Sequence, residues 1–266
     1  MIKVARRERC RVTIAGGFTC VDGIVMCSDT QESYQDDKAW VYKIRPFEGN
    51  NWTGGIAGSG IGYLVDYATD KALEYISVCK PGTSVNDLRL GLQAVFDGLY
   101  LREFNHYPAP IEHKQMQLLV GVCDKSTKST ALFSADSTLV RHVEKERVIG
   151  SGELLKDLAH EFQIMKLRLS QGIWIAMYLV WTAKQRFEGI GGDPLILGIK
   201  ESGELVVERI WDIADKERML DRIDKCRNQL LIMLDSQMPR HVVKARLKFV
   251  TGAIMTSRQQ LTVAHS

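Results

Sequence analysis

A chain of 266 residues, 45% of them hydrophobic and 25% charged, can bury a sizeable core and has the composition of neither a disordered nor a fibrous protein. Its formal net charge of +3, with no lysine or arginine block beyond "RRERCR" at Arg6 to Arg11, argues against nucleic acid as a partner. The six cysteines form no CxxC pair and match no histidine spacing, so a reduced, cytoplasmic protein without a zinc site, disulfide framework or cofactor is expected. The basic start is interrupted by Gly16-Gly17 and Thr19, which makes it a poor secretion signal. The most apolar run, Ile173 to Trp181, is far shorter than the roughly 20 residues of a membrane span and reads as a buried helix.

The periodicity predicts strands over about 10–20, 23–29, 39–45 and 52–58, with Asp22-Gly23 as the turn of an opening hairpin. Two helices follow. One runs from near Gly60 to Val78, and the next starts at Ser84 as N-cap with Leu88, Leu92, Val95 and Leu99 as its apolar stripe. "QMQLLVGVCD" and "STALFSAD" pair as a hairpin, and "ERVIGSG" is a further strand leading into a helix from about Glu153. A helix over about 171–187 precedes two strands, "PLILGIK" and "LVVERIW", joined by the turn "ESGE".

From Ile213 to Met238 the chain has helical periodicity with mixed charge, ended by Pro239; "VVKARLKFVTGAIMTSRQQ" predicts a last helix bent near Gly252. The block order, sheet, two helices, sheet, two helices, sheet, suggests an α+β layered domain over 1–212, with a helical C-terminal extension over 213–266.

Within the opening hairpin, Thr13 and Asp29 stand sixteen residues apart, with Gly23 at the turn. "VYKIRPF" then offers Lys43, "GGIAGSG" offers Ala57-Gly58, and "VIGSGELL" offers Gly150-Ser151-Gly152. These residues, in this order, resemble the proteasome β-type subunits, their bacterial relatives and the wider N-terminal nucleophile hydrolases. The resemblance implies a four-layer αββα sandwich, a leader over residues 1–12 and a threonine-type peptidase acting on peptide or unfolded-protein substrates. It also implies a homo- or hetero-oligomeric ring, contacts through the helices at about 60–78 and 84–105, and an ATPase as a further candidate partner.

The chemistry needs each of these groups. A threonine hydroxyl is a weak nucleophile until a base takes its proton, and an α-amine titrating near pH 8 can do so when the threonine is the first residue. By resemblance, Lys43 would favour ionisation of the Thr13 hydroxyl, Asp29 would orient Lys43, and Ser151 would position the amine. The N–H of Gly58 would hold the oxyanion, an effect worth about 3–4 kcal/mol in hydrolases. Arg45 would give the substrate pocket a basic floor.

Two departures support a second reading, a catalytically silent structural subunit of the same kind of ring. Val12 stands where self-processing members carry Gly, and Phe187 occupies the slot of an Asp about five residues before Gly191-Gly192. The interval from Asp29 to Lys43 is also two residues short. A third reading, a nucleotide-binding enzyme, rests on "GSGIG" at Gly58 to Gly62, which lacks the full G-x-G-x-x-G spacing.

Overall fold

The computed structural model describes residues 13–34, 37–106, 116–150, 160, 167–208, 210–233 and 238–264. The chain divides into two compact units, the first ending at Glu208 and the second starting at Arg209.

In the first unit, β1 (Ile14–Cys20) and β2 (Gly23–Ser28) form the expected hairpin, paired from Ala15 with Ser28 to Cys20 with Gly23. They lie at the centre of a five-stranded antiparallel sheet completed by β10 (Glu146–Gly150), β11 (Leu195–Lys200) and β12 (Leu205–Val207), in the order β10-β1-β2-β11-β12. A second antiparallel sheet has the sequential order β5 (Ile44–Glu48), β6 (Trp52–Gly60), β7 (Met116–Asp124), β8 (Thr130–Asp136) and β9 (Leu139–Val143). Between β2 and β5 a small hairpin, β3 (Gln31–Tyr34) and β4 (Asp37–Trp40), pairs only with itself.

The two sheets face each other across a shared core. Ala15, Ile24, Met26, Ile149, Leu197 and Ile199 of the first sheet meet Ala57, Leu119, Cys123, Leu132 and Val143 of the second, with Ile44 beside them. On the outer side of the second sheet lie α1 (Gly62–Val78) and α2 (Val85–Arg102), followed by a 3-10 turn at Phe104–His106. Leu64, Ala68, Ala72 and Ile76 of α1 repeat every four residues, so one helical stripe packs with Trp52, Ile56 and Phe133 of the sheet. Helix α3 (Leu169–Arg186) packs on β1 and β2 from the other side. All six residues of β2 are therefore buried, where a strand open on one face would alternate. The edge strand β9 is more open, exposing Leu139, Arg141 and His142 and burying Val140 and Val143.

Several expectations change in detail. The strand placed over 39–45 splits, because β4 ends at Trp40 and β5 starts at Ile44, leaving 41–43 as a corner between hairpin and sheet. The apolar stripe of α2 runs through Phe96, with Val95 only half buried, as four-residue spacing from Leu92 favours the larger ring. Strand β9 escaped notice because its pattern, "LVRHV", is short and carries two polar residues. Ser84 does cap α2, its hydroxyl accepting from the Asp87 N–H at 3.1 Å. The helix expected from about Glu153 lies outside the described residues. Both sheets are antiparallel throughout, so "GSGIG" lacks the parallel βαβ setting of a nucleotide-binding turn.

The second unit consists of α4 (Ile210–Ile232) and α5 (Arg240–Ala264), which pack on each other. Helix α4 starts three residues before Ile213, the Ile-Trp of "LVVERIW" joining the helix rather than the strand. Helix α5 runs unbroken through Gly252. No described helix is long and apolar enough to cross a membrane.

Candidate active site

Three strand ends meet at one place. Thr13 immediately precedes β1, Asp29 immediately follows β2, and Lys43 immediately precedes β5. The hairpin register explains the first pair: with Ala15 opposite Ser28, the next residues outward bring Ile14 beside Asp29. The Asp29 N–H donates to the Ile14 carbonyl at 3.3 Å, and the Ile14 N–H donates to Asp29 Oδ1 at 3.2 Å. Lys43 arrives from the corner after β4, held by the Val41 N–H donating to the Thr30 carbonyl at 2.8 Å.

The Lys43 ammonium lies at the centre. Its Nζ donates to Asp29 Oδ1 at 2.8 Å, to the Gln31 carbonyl at 2.6 Å and to Thr13 Oγ1 at 3.2 Å. Three hydrogens on a protonated lysine suffice for these three acceptors. The Asp29 side chain is 0% exposed and that of Lys43 only 8%. Burial pushes the Asp29 carboxyl above the ordinary carboxylate range; the Lys43 charge and hydrogen bond, with the N–H groups of Ile14 and Gly191, pull it back. Thr13 Oγ1 thus accepts a hydrogen bond from a cation, a setting that favours its ionised form.

The loop after α3 braces this cluster from the far side. The Gly191 N–H reaches Asp29 Oδ2 at 3.5 Å, and its carbonyl accepts from the Thr30 and Gln31 N–H groups at 3.3 and 3.1 Å. Thr30 Oγ1 donates to the Asp193 carbonyl at 3.0 Å. Gly192 has φ +76, and a Cβ there would sit 2.2 Å from Thr30 Oγ1 and 2.4 Å from the Trp40 ring. Only glycine fits that conformation and that gap. Phe187 itself is the C-cap of α3, at the slot where the resemblance places a carboxylate.

Thr13, Asp29 and Lys43 are therefore brought together. Gly58 lies on β6, one residue beyond Ala57, which pairs with Ile44 next to Lys43. A Cβ on Gly58 would lie 2.2 Å from Val65 Cγ1, so the backbone there approaches α1 too closely for any side chain. Ser151 lies outside the described residues. Its neighbour Gly150, at φ +74, donates its N–H to Gln117 Oε1 at 2.8 Å, and a Cβ on it would fall 2.3 Å from the Thr13 carbonyl oxygen. The Arg45 guanidinium pairs with Asp70 at 2.6 Å.

Sequence reasoning missed the Gln31 carbonyl and the Gly191 N–H. Backbone groups leave no residue-type signal, and only the Gly-Gly pair hinted at a tight approach. Burial pushes the Cys20 and Cys27 thiols up to about 12, and both sit on their strands as small apolar side chains. Among the described residues no group of three His, Cys, Asp or Glu side chains converges as a metal site would require.

An α+β fold of two facing antiparallel sheets, with a threonine, a lysine and an aspartate joined at strand ends, defines the class. No protein-family model matches the chain, and no curated protein matches it in sequence. Solved structures do match. A Gly-1 mutant of Anbu from Hyphomicrobium sp. strain MC1 aligns with a TM-score of 0.69 at 12% identity, over 86% of this chain and 98% of that one. Anbu (ancestral beta-subunit) from Yersinia bercovieri gives 0.66 at 13% identity, over 85% and 98%. A helical assembly of the Anbu complex from Pseudomonas aeruginosa gives 0.65 at 14% identity, over 86% and 99%.

These likenesses establish the fold, and they correct the resemblance drawn from sequence: the structural neighbours are Anbu proteins rather than proteasome β-type subunits. The reason lies in what carried that resemblance. Thr13, Gly23, Asp29 and Gly58 are on or beside β1, β2 and β6, so they report the scaffold and not one protein built on it.

Proposed function

We propose that this chain is a subunit of a proteasome-like assembly of the Anbu kind, with its two sheets and flanking helices forming the layers of an αββα sandwich. The observation that carries this reading is the alignment of nearly the whole length of each Anbu structure, one of them a helical assembly. Sedimentation of the purified full chain tests it: a species well above the 30.0 kDa monomer is expected, and a monomer at every concentration and salt would refute it.

A second reading, threonine-type peptide hydrolysis, is favoured by the contact of Lys43 Nζ with both Thr13 Oγ1 and Asp29. In the chain as it stands the Thr13 nitrogen is an amide, which has no basicity to offer, and the site is latent. Cleavage after Val12 would turn that nitrogen into an amine. Thr13 Oγ would then attack a substrate carbonyl carbon while its proton passes to the amine, with the Gly58 N–H at the oxyanion. The proton would leave with the departing amine, and water would hydrolyse the ester left on Thr13.

Ser151 belongs to this proposal as a positioning residue for the amine. Without an amine at Thr13, the same contacts serve only to join the two sheets, and the chain is a silent subunit. The test is N-terminal sequencing of the protein from its own host, paired with peptide turnover by the wild type and Thr13→Ala. A chain starting at Thr13 whose turnover is abolished in Thr13→Ala supports hydrolysis; an uncleaved chain, or equal turnover in both, refutes it.

A further inference from the structure

Two exposed helix stripes of opposite sign share one spacing. On α1, Asp66, Asp70 and Glu74 recur every four residues and are exposed, while Leu64, Ala68, Ala72 and Ile76 are buried. On α5, Arg240, Lys244 and Lys248 recur at the same interval and are exposed as well. The 25 residues of α5 contain no Asp or Glu. Eight residues at 1.5 Å per residue make each stripe about 12 Å long. Exposed apolar side chains accompany both: Tyr63 and Val78 at the ends of the acidic stripe, Leu247 and Phe249 beside the basic one.

We infer that the basic stripe of α5 docks on the acidic stripe of α1 in a second copy of this chain, an inference that rests on reading the protein as an assembling subunit. Charge selects the partner surface. Helix α4 carries as many bases as acids, five of each, whereas α1 carries three acids against the one base Lys71. Asp70 is held by Arg45 at 2.6 Å and Glu74 by Lys71 at 2.8 Å. Both are pairs between substantially exposed side chains, worth little in water and easily exchanged for a matched row of cations. The apolar residues at the stripes add area that ion pairs alone lack.

The contact is heterologous, since it joins two different surfaces. Repetition therefore adds copies head to tail and gives a closed ring or an open helix according to the rotation per step.

The test uses charge reversal in the full chain. One variant carries Lys244→Glu and Lys248→Glu; the other carries Asp66→Lys and Glu74→Lys, which leaves the Arg45–Asp70 pair in place. The wild type sediments as an assembly at low ionic strength and loses it between about 0.05 and 0.5 M salt. Each variant alone sediments as the 30.0 kDa chain, and mixing the two restores the assembly, because every junction then joins opposite signs again.

Should a reversal unfold its helix by circular dichroism, the milder Lys244→Gln with Lys248→Gln is expected to weaken assembly at least about tenfold. Variants that assemble like the wild type, or a mixture that stays monomeric, overturn this contact while leaving assembly itself standing. A wild type that is monomeric at every salt overturns both.

Discussion

Replacing Lys43 by Met isolates the electrostatics of the site from its chemistry. The substitution removes the ammonium 2.8 Å from a carboxylate that is 0% exposed, and leaves Asp29 only the N–H groups of Ile14 at 3.2 Å and Gly191 at 3.5 Å. Breaking a buried pair at one partner costs about 3–5 kcal/mol, because the other charge remains uncompensated. Burial already raises the Asp29 carboxyl with Lys43 present, and loss of the cation raises it further.

The sign follows from proton linkage. With its native pKa above the unfolded value of about 3.9, Asp29 binds more protons folded than unfolded, so stability falls as pH rises from about 4 through the native pKa. Without Lys43 that window extends to higher pH. Lys43→Met is thus expected to lose little relative to wild type near pH 4 and the full 3–5 kcal/mol above the raised pKa. Adding Asp29→Asn removes the stranded charge and recovers most of the loss. Urea unfolding followed by tryptophan fluorescence at several pH values measures this. An equal loss at all pH values, or a double variant no more stable than Lys43→Met, would refute the account.

Two further outcomes test the packing around the site. Gly192→Ala places a Cβ against Thr30 Oγ1 and the Trp40 ring at φ +76, and is expected to cost about 1–3 kcal/mol in urea unfolding; a neutral result would mean that the 187–193 loop does not brace the cluster as described. Thr182→Val on α3 removes a buried hydroxyl that has no hydrogen-bond partner among the described residues, and is expected to raise stability by about 1 kcal/mol, measured the same way; a loss would show that the hydroxyl is satisfied in solution.

Much of the site was legible because it follows from one hairpin. Sixteen residues from Thr13 to Asp29, turned at Asp22-Gly23, place the aspartate beside the residue after the threonine whatever the rest of the chain does. Lys43 was legible only as a residue type at an approximate distance. Whether it met Asp29 depended on the corner at 41–43, and the strand expected over 39–45 would have run straight through that corner. The bracing Gly191 N–H and the Gln31 carbonyl were not legible at all, since every residue but proline carries the same backbone groups.

Patterns within single segments account for the hairpin, the stripes of α1 and α2, the buried run of α3, and the sign of the charges on α5. Each is set by alternation, four-residue repeats or composition within one segment. Tertiary structure decided which segments share a core and which strand ends converge. Facing the two sheets brings Lys43, at the start of one, onto Thr13 and Asp29 at the ends of central strands in the other, and burial there gives the carboxylate its raised pKa and its dependence on the lysine. It also decided the likeness to Anbu, because residues spaced by a common scaffold report that scaffold alike, and only the arrangement of all its strands and helices separates one protein built on it from another.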